Sequence, residues 1–202
     1  MKRLSIREFV LLSLMIALLI ALAYINIPQP AGLSITFNMI PVAIAAITVG
    51  PLGGGIVGGA FGLISFLQCF GICGSSAMGA ALAQVSPFLC FVQRFFPRLI
   101  DGLALGFLFR LLHGRINVPT LCGLIGFLAA FLNTLLFMSA LVLLFGNTEY
   151  MQNSMAGRGM LTYIVAAVGI NGVVEMAVST LLTGAVGTAL YKAGYIRAAK
   201  AQ

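Results

Sequence analysis

The chain has 202 residues, of which 61% are hydrophobic and 7% charged, and its mean hydropathy is +1.12. Soluble domains are about 45–50% apolar, so this composition excludes a soluble globular domain and predicts one integral membrane domain over residues 1–202. The net charge of +7 points to topology rather than nucleic-acid binding, because the cations gather at the ends of apolar segments.

Hydropathy predicts an all-α membrane protein with six spans, at about 8–26, 36–50, 54–71, 87–112, 118–146 and 160–192. The first is too long for a secretory h-region and no small-x-small cleavage site follows it, so it is expected to remain as a membrane helix. Ser13, Ala17 and Ala21 recur in it at four-residue spacing. Such a small face either packs within the chain or docks a partner membrane protein. An outer segment with Pro28, Pro30 and Gly32 follows. The second span carries Pro41, which predicts a kink, with Asn38 just outside it. Gly50-Pro51-Leu52-Gly53 then reverses the chain on the cytoplasmic side.

Gly50, Gly54, Gly58 and Gly62 recur every four residues from the turn into the third span, with Gly55 and Gly59 beside them. Small residues on one face let helix backbones approach closely, so the stripe predicts helix packing. Gly71 to Ser86 is expected to be a small-residue outer loop, and Gly146 to Gly159 a polar one. A bilayer core about 30 Å thick needs roughly 20 helical residues, so the second and third spans are short. Lys2, Arg3 and Arg7, then Arg110 and Arg115, then Lys192, Arg197 and Lys200 form three basic clusters. The positive-inside rule places all three in the cytoplasm, which puts both termini there and makes the number of spans even.

The fourth span holds the candidate site. Arg94, Arg98 and Asp101 are four and three residues apart and share one helical face. Charge at bilayer depth is costly and usually faces a cavity, a partner or a pathway. A cationic patch with one nearby acid points to capture of an anionic group, and a guanidinium holds a carboxylate with two parallel hydrogen bonds. Two readings stay open for each arginine. Arg98 either contacts substrate or neutralises Asp101, and Arg94 either contacts substrate or snorkels to the outer interface. Other polar residues at depth are Asn38, Gln68, Asn133, and the pair Asn171 and Glu175, which are four apart on one face.

Cys69, Cys73, Cys90 and Cys122 form no CxxC pair and are expected as buried small hydrophobes, although a Cys69–Cys73 disulfide fits their outer position. His113 is the only histidine, so neither a metal site nor an intramembrane serine protease is expected. No GxxxxGK[ST] string is present, which excludes P-loop ATP binding. No cofactor is expected, and the chain reads as a binding device without its own engine rather than an enzyme. The competing class is a self-sufficient secondary carrier or facilitator for a small organic anion; the lack of a clear internal repeat weighs against it.

Ile35-Thr-Phe-Asn-Met-Ile-Pro-Val-Ala, Gly50-Pro-Leu-Gly-Gly-Gly, Phe61-Gly-Leu-Ile-Ser-Phe-Leu-Gln-Cys-Phe and Phe96-Pro-Arg-Leu-Ile-Asp-Gly together resemble the substrate-binding S components of energy-coupling factor (ECF) vitamin transporters. The resemblance extends over essentially the whole chain. It implies a six-helix S-component bundle in a prokaryotic plasma membrane, partnered by a transmembrane T component and two cytoplasmic ATPases. It also implies a vitamin bound in the outer half and released inward when the subunit tips in the membrane. Ala17-x-x-x-Ala21 looks like the alanine motif such proteins carry in the first helix, which marks Ser13, Ala17 and Ala21 as a docking face. Ser65-Phe-Leu-Gln-Cys-Phe-Gly with Phe96-Pro-Arg looks most like the pantothenate-type members. On that likeness Arg94 or Arg98 would hold the carboxylate, while Asn133, Asn171, Gln68, Asn38 and Glu175 would complete the site. The absence of tryptophan disfavours thiamin, while the 15 phenylalanines leave a flavin or a pterin (riboflavin or folate) open. Lys2, with no histidine near it, departs from the metal-transporting members.

Overall fold

The computed structural model describes residues 5–25, 27–28, 34–35, 37–155 and 160–196, without the side chains of 27–28, 34–35, 150, 154–155, 160–168 and 170–171. Lys2, Arg3, Pro30, Gly32, Arg158, Arg197 and Lys200 therefore lie outside the described residues.

Helix α1, Ile6–Ala23, starts at a capping box in which the Ser5 amide donates to Glu8 Oε2 (2.7 Å) and the Glu8 amide donates to Ser5 Oγ (3.3 Å). Leu12, Met15, Leu19 and Ala23 form its buried stripe. A two-residue antiparallel pairing follows, β1 (Ile27–Pro28) against β2 (Ser34–Ile35). Helix α2, Met39–Val49, is buried on every side from Met39 to Ile47. The kink expected at Pro41 is not needed. Pro41 is the third residue of α2, and the N–H of a helix's first turn has no intrahelical acceptor to lose. Gly50 turns the chain with φ +86, and Pro51 opens α3, Pro51–Leu67, a position suited to its fixed φ. A 3-10 turn, Gln68–Phe70, ends in left-handed Gly71.

Gly71 to Ser86 is more than the small-residue loop expected. It contains α4, Ala77–Val85, capped by Ser76 Oγ accepting from the Gly79 amide. Met78, Leu82 and Ala83 give α4 its buried side, a pattern too brief to stand out among so many small residues. Then come α5, Pro87–Leu112, and α6, Val118–Phe145. The polar segment after α6 likewise carries a short helix, α7, Glu149–Met155. Helix α8, Met160–Lys192, is broken by non-helical backbone at Gly169.

Among the described residues four helical stretches are long and apolar enough to cross a membrane: Ile6–Ala23, Pro51–Phe70, Val118–Phe145 and Gly172–Lys192. Helix α2 is apolar but only 11 residues long. Helix α5 has 26 residues but carries Arg94, Arg98, Asp101 and Arg110 within them. The start of α1, the α2–α3 turn, the end of α5 and the stretch after α8 line one cavity of about 320 Å³, so both ends of the bundle's chain meet on the same side.

The glycine stripe does what its spacing predicts. A methyl on Gly54 would strike the Gly102 carbonyl of α5, one on Gly58 the Arg98 carbonyl, and one on Gly106 the backbone of Pro51. Helices α3 and α5 thus touch backbone to backbone, leaving no room for a side chain between them. Two apolar clusters result. The larger joins α1, α2, α3, α5 and α6 through residues such as Leu19, Val42, Val57, Phe61, Leu105 and Ile125. The smaller joins α4, α5, α6 and α7 through Met78, Leu82, Cys90, Phe137, Leu141 and Met151.

Candidate substrate-binding site

The two arginines lie where those clusters meet. Arg94 and Arg98 are each 6% exposed, so Arg94 does not snorkel to the interface. Its Nη1 donates to Ser65 Oγ of α3 (3.1 Å) and its Nη2 to Ser76 Oγ at the start of α4 (3.2 Å). Arg98 is sandwiched between aromatic faces, 4.5 Å from the Phe61 ring and 4.9 Å from the Phe137 ring, and Phe137 also lies 5.3 Å from the Arg94 guanidinium. The negative ring faces stabilise buried cations by about 0.5–2 kcal/mol each.

Pro97 sits inside α5 and offers no N–H to the Gln93 carbonyl. One residue on, the Arg98 Nη1 donates to the Arg94 carbonyl (2.8 Å). The ion pair considered for Arg98 and Asp101 is absent: neither carboxylate oxygen of the fully buried Asp101 has a hydrogen-bond partner.

Among the described residues neither arginine has a carboxylate partner, and the Nε of each is buried without an acceptor. A guanidinium has five N–H donors; toward the described residues Arg94 uses two and Arg98 one. Buried polar groups are normally satisfied, and each exception calls for a missing acceptor such as a ligand or an ion. Other buried side-chain atoms without a hydrogen-bond partner among the described residues are both amide atoms of Gln93, which precedes Arg94, and Asn133 Oδ1, Asn38 Oδ1 and the hydroxyls of Ser179 and Thr183. The two guanidiniums are suited to an anionic head.

The remaining candidates are dispersed over the fold. Asn38, 1% exposed, precedes α2 without capping it. Glu175 is half-buried and lines a narrow crevice with Phe37, Met39, Ile40, Ala130 and Ser179. Gln68 is committed elsewhere, its Nε2 donating to the Ala23 and Cys73 carbonyls at 3.2 Å each. It ties the end of α1 to the 3-10 turn instead of facing the arginines through that amide nitrogen. The side chain of Asn171 lies outside the described residues. Ser13, Ala17 and Ala21 are all exposed along α1 among the described residues. Ser65, Ser76, Phe61 and Phe137 were not singled out by sequence. Ser65 and Phe61 fall in a string that carried the family likeness, while nothing in the sequence marks Ser76 or Phe137.

Cys69, Cys90 and Cys122 are buried, as expected of small hydrophobes, Cys73 is half-buried, and the alternative Cys69–Cys73 disulfide is not formed. All four cysteines are free, and Cys69 Sγ lies 3.4 Å from Cys90 Sγ.

Sequence comparison agrees with this architecture. A chain named pantothenate transporter PanT, from Leuconostoc mesenteroides subsp. mesenteroides, is 30% identical over 162 residues, covering 79% of this chain and 76% of that one. A pantothenic acid transporter PanT from Lactococcus lactis subsp. cremoris is 26% identical over 206 residues, covering 96% and 98%. The sequence profile of the ECF transporter substrate-specific component matches residues 7–187. The chain therefore belongs to the family of ECF transporter substrate-specific components.

Proposed function

We propose that this chain captures pantothenate outside the cell as the S component of an ATP-driven importer. Arg94 and Arg98 grip the carboxylate. Asn133, Asn171, Asn38 and Glu175 serve its hydroxyl and amide groups, and Gln68 holds the rim. The observation that carries this reading is the side-by-side burial of two guanidiniums, each lacking a carboxylate partner among the described residues. The names of the two relatives point to the same vitamin. A single domain would cross the membrane six times, through α1, α2, α3, α5, α6 and α8, with both termini cytoplasmic. Support comes from the shared cavity at the chain's two ends and from Arg7, Arg110, Arg115 and Lys192 near it in sequence. The exposed Ser13, Ala17 and Ala21 face would dock a transmembrane T component, which two cytoplasmic ATPases energise. Tipping of the S component would then deliver the vitamin inward.

The test is calorimetric titration of the purified chain with pantothenate and with panthenol, its neutral alcohol. Tight binding of the acid and weak binding of the alcohol is the expected result. Equal affinities would remove the arginines from carboxylate recognition. In empty liposomes the chain alone should move no vitamin; equilibration would instead identify a facilitator.

A further inference from the structure

Cys69 ends the α3 side of the site and Cys90 lies in the first turn of α5, so the pair brackets the outer segment 70–89. The sulfurs are 3.4 Å apart, and a disulfide needs about 2.05 Å, so a small side-chain shift closes the gap. Neither thiol has a stronger engagement: Cys69 Sγ contacts the Ser65 carbonyl at 3.5 Å and Cys90 Sγ the Gly79 carbonyl at 3.9 Å. A methyl on Gly79 would lie 2.7 Å from Cys69 Sγ and 2.8 Å from Arg94 Nη2, so thiol and guanidinium flank one backbone position. Ser76, which Arg94 holds, belongs to the bracketed segment.

We propose that Cys69 and Cys90 form an oxidation site, a dithiol that a small hydroperoxide converts to an intrachain disulfide stapling the base of segment 70–89 beside the substrate. Cys69 is 5% exposed and Cys90 0%, so Cys69 reacts first. Its thiolate attacks one oxygen of hydrogen peroxide and the O–O bond breaks; the sulfur becomes a sulfenic acid, and the hydroxide released is protonated to water. Cys90 sulfur then displaces the sulfenic oxygen as a second water, leaving the S–S bond. Peroxide is reduced, the two thiols are oxidised, and no other reactant is needed. A disulfide across a loop restricts its open conformations. The stapled segment keeps Ser76 against Arg94, and substrate leaves more slowly. The effect on release rests on the pantothenate reading; the cross-link does not.

The experiment treats purified wild-type chain and the Cys73→Ser and Cys90→Ser variants with hydrogen peroxide, followed by non-reducing peptide mapping and intact mass. Expected are a linked Cys69–Cys90 peptide and a loss of about 2 Da, reversed by dithiothreitol, in wild type and Cys73→Ser but not in Cys90→Ser. Pantothenate release, followed by stopped flow, should slow several-fold on oxidation of wild type. A Cys69–Cys73 link, a sulfinic acid at Cys69 with Cys90 free, or unreacted thiols would each overturn the site. A formed link with unchanged release would overturn its effect on the substrate. If Cys90→Ser does not fold, wild type and Cys73→Ser still decide the connectivity.

Discussion

Arg94→Ala is the decisive substitution for the binding site. Arg94 is buried, makes two hydrogen bonds to serine hydroxyls, and has a buried Nε with no acceptor. Serines are neutral acceptors, so the guanidinium's charge is uncompensated by hydrogen bonding until an anion arrives. Truncating one member of a buried, hydrogen-bonded charge pair costs about 2–5 kcal/mol. At about 1.4 kcal/mol per decade, pantothenate affinity should fall roughly thirtyfold to several-thousandfold. A double cycle isolates the charge: wild type and Arg94→Ala are each titrated with pantothenate and with panthenol. Loss of the carboxylate and loss of the guanidinium should be strongly non-additive, with a coupling of about 0.5–3 kcal/mol, as for groups in contact. If Arg94→Ala weakened acid and alcohol equally, Arg94 would be holding Ser65 and Ser76 in place rather than holding the substrate. Arg94→Lys should recover little, because a lysine cannot bridge two serines and a carboxylate with one planar fork.

Ser65→Ala removes one support of the Arg94 fork and should weaken pantothenate binding by about 0.5–1.5 kcal/mol without changing the fold; calorimetry reading wild-type affinity would discount that support. Gly58→Leu forces a side chain into the Arg98 carbonyl and should cost at least about 1–3 kcal/mol of stability, seen as a lower melting temperature in detergent. Gly59→Ala is the matched control, since its methyl would meet only Leu99 and Phe95 carbons at 3.6–3.8 Å; equal melting of the two variants would contradict the helix contact. Ala17→Leu and Ala21→Leu, on the exposed face of α1, should leave pantothenate affinity intact and reduce co-purification with the T component. Full recovery of the complex with both changes present would place the docking face elsewhere.

Much of the fold is written in local patterns. Apolar runs mark the long helices, and α5 opens at Pro87 and carries the basic Arg110 in its last turn. Four-residue glycine spacing marks a face of α3 that admits another backbone, whatever that partner is. The four-residue step from Arg94 to Arg98 places both on one side of α5. These features depend only on helical period and side-chain size, which a sequence carries in full.

Other features depend on which distant residues meet. Arg98 and Asp101 are spaced to pair, yet Arg98 turns to the Arg94 carbonyl and the Phe61 and Phe137 rings, because packing offers faces that spacing cannot reveal. Cys69 is four residues from Cys73 but meets Cys90, since α3 and α5 lie in backbone contact through Gly54, Gly58 and Gly102. Ser65, Ser76 and Phe137 converge on the arginines from three separate elements. Periodicity decides which side of a helix a residue occupies; only the close approach of whole helices decides what stands opposite.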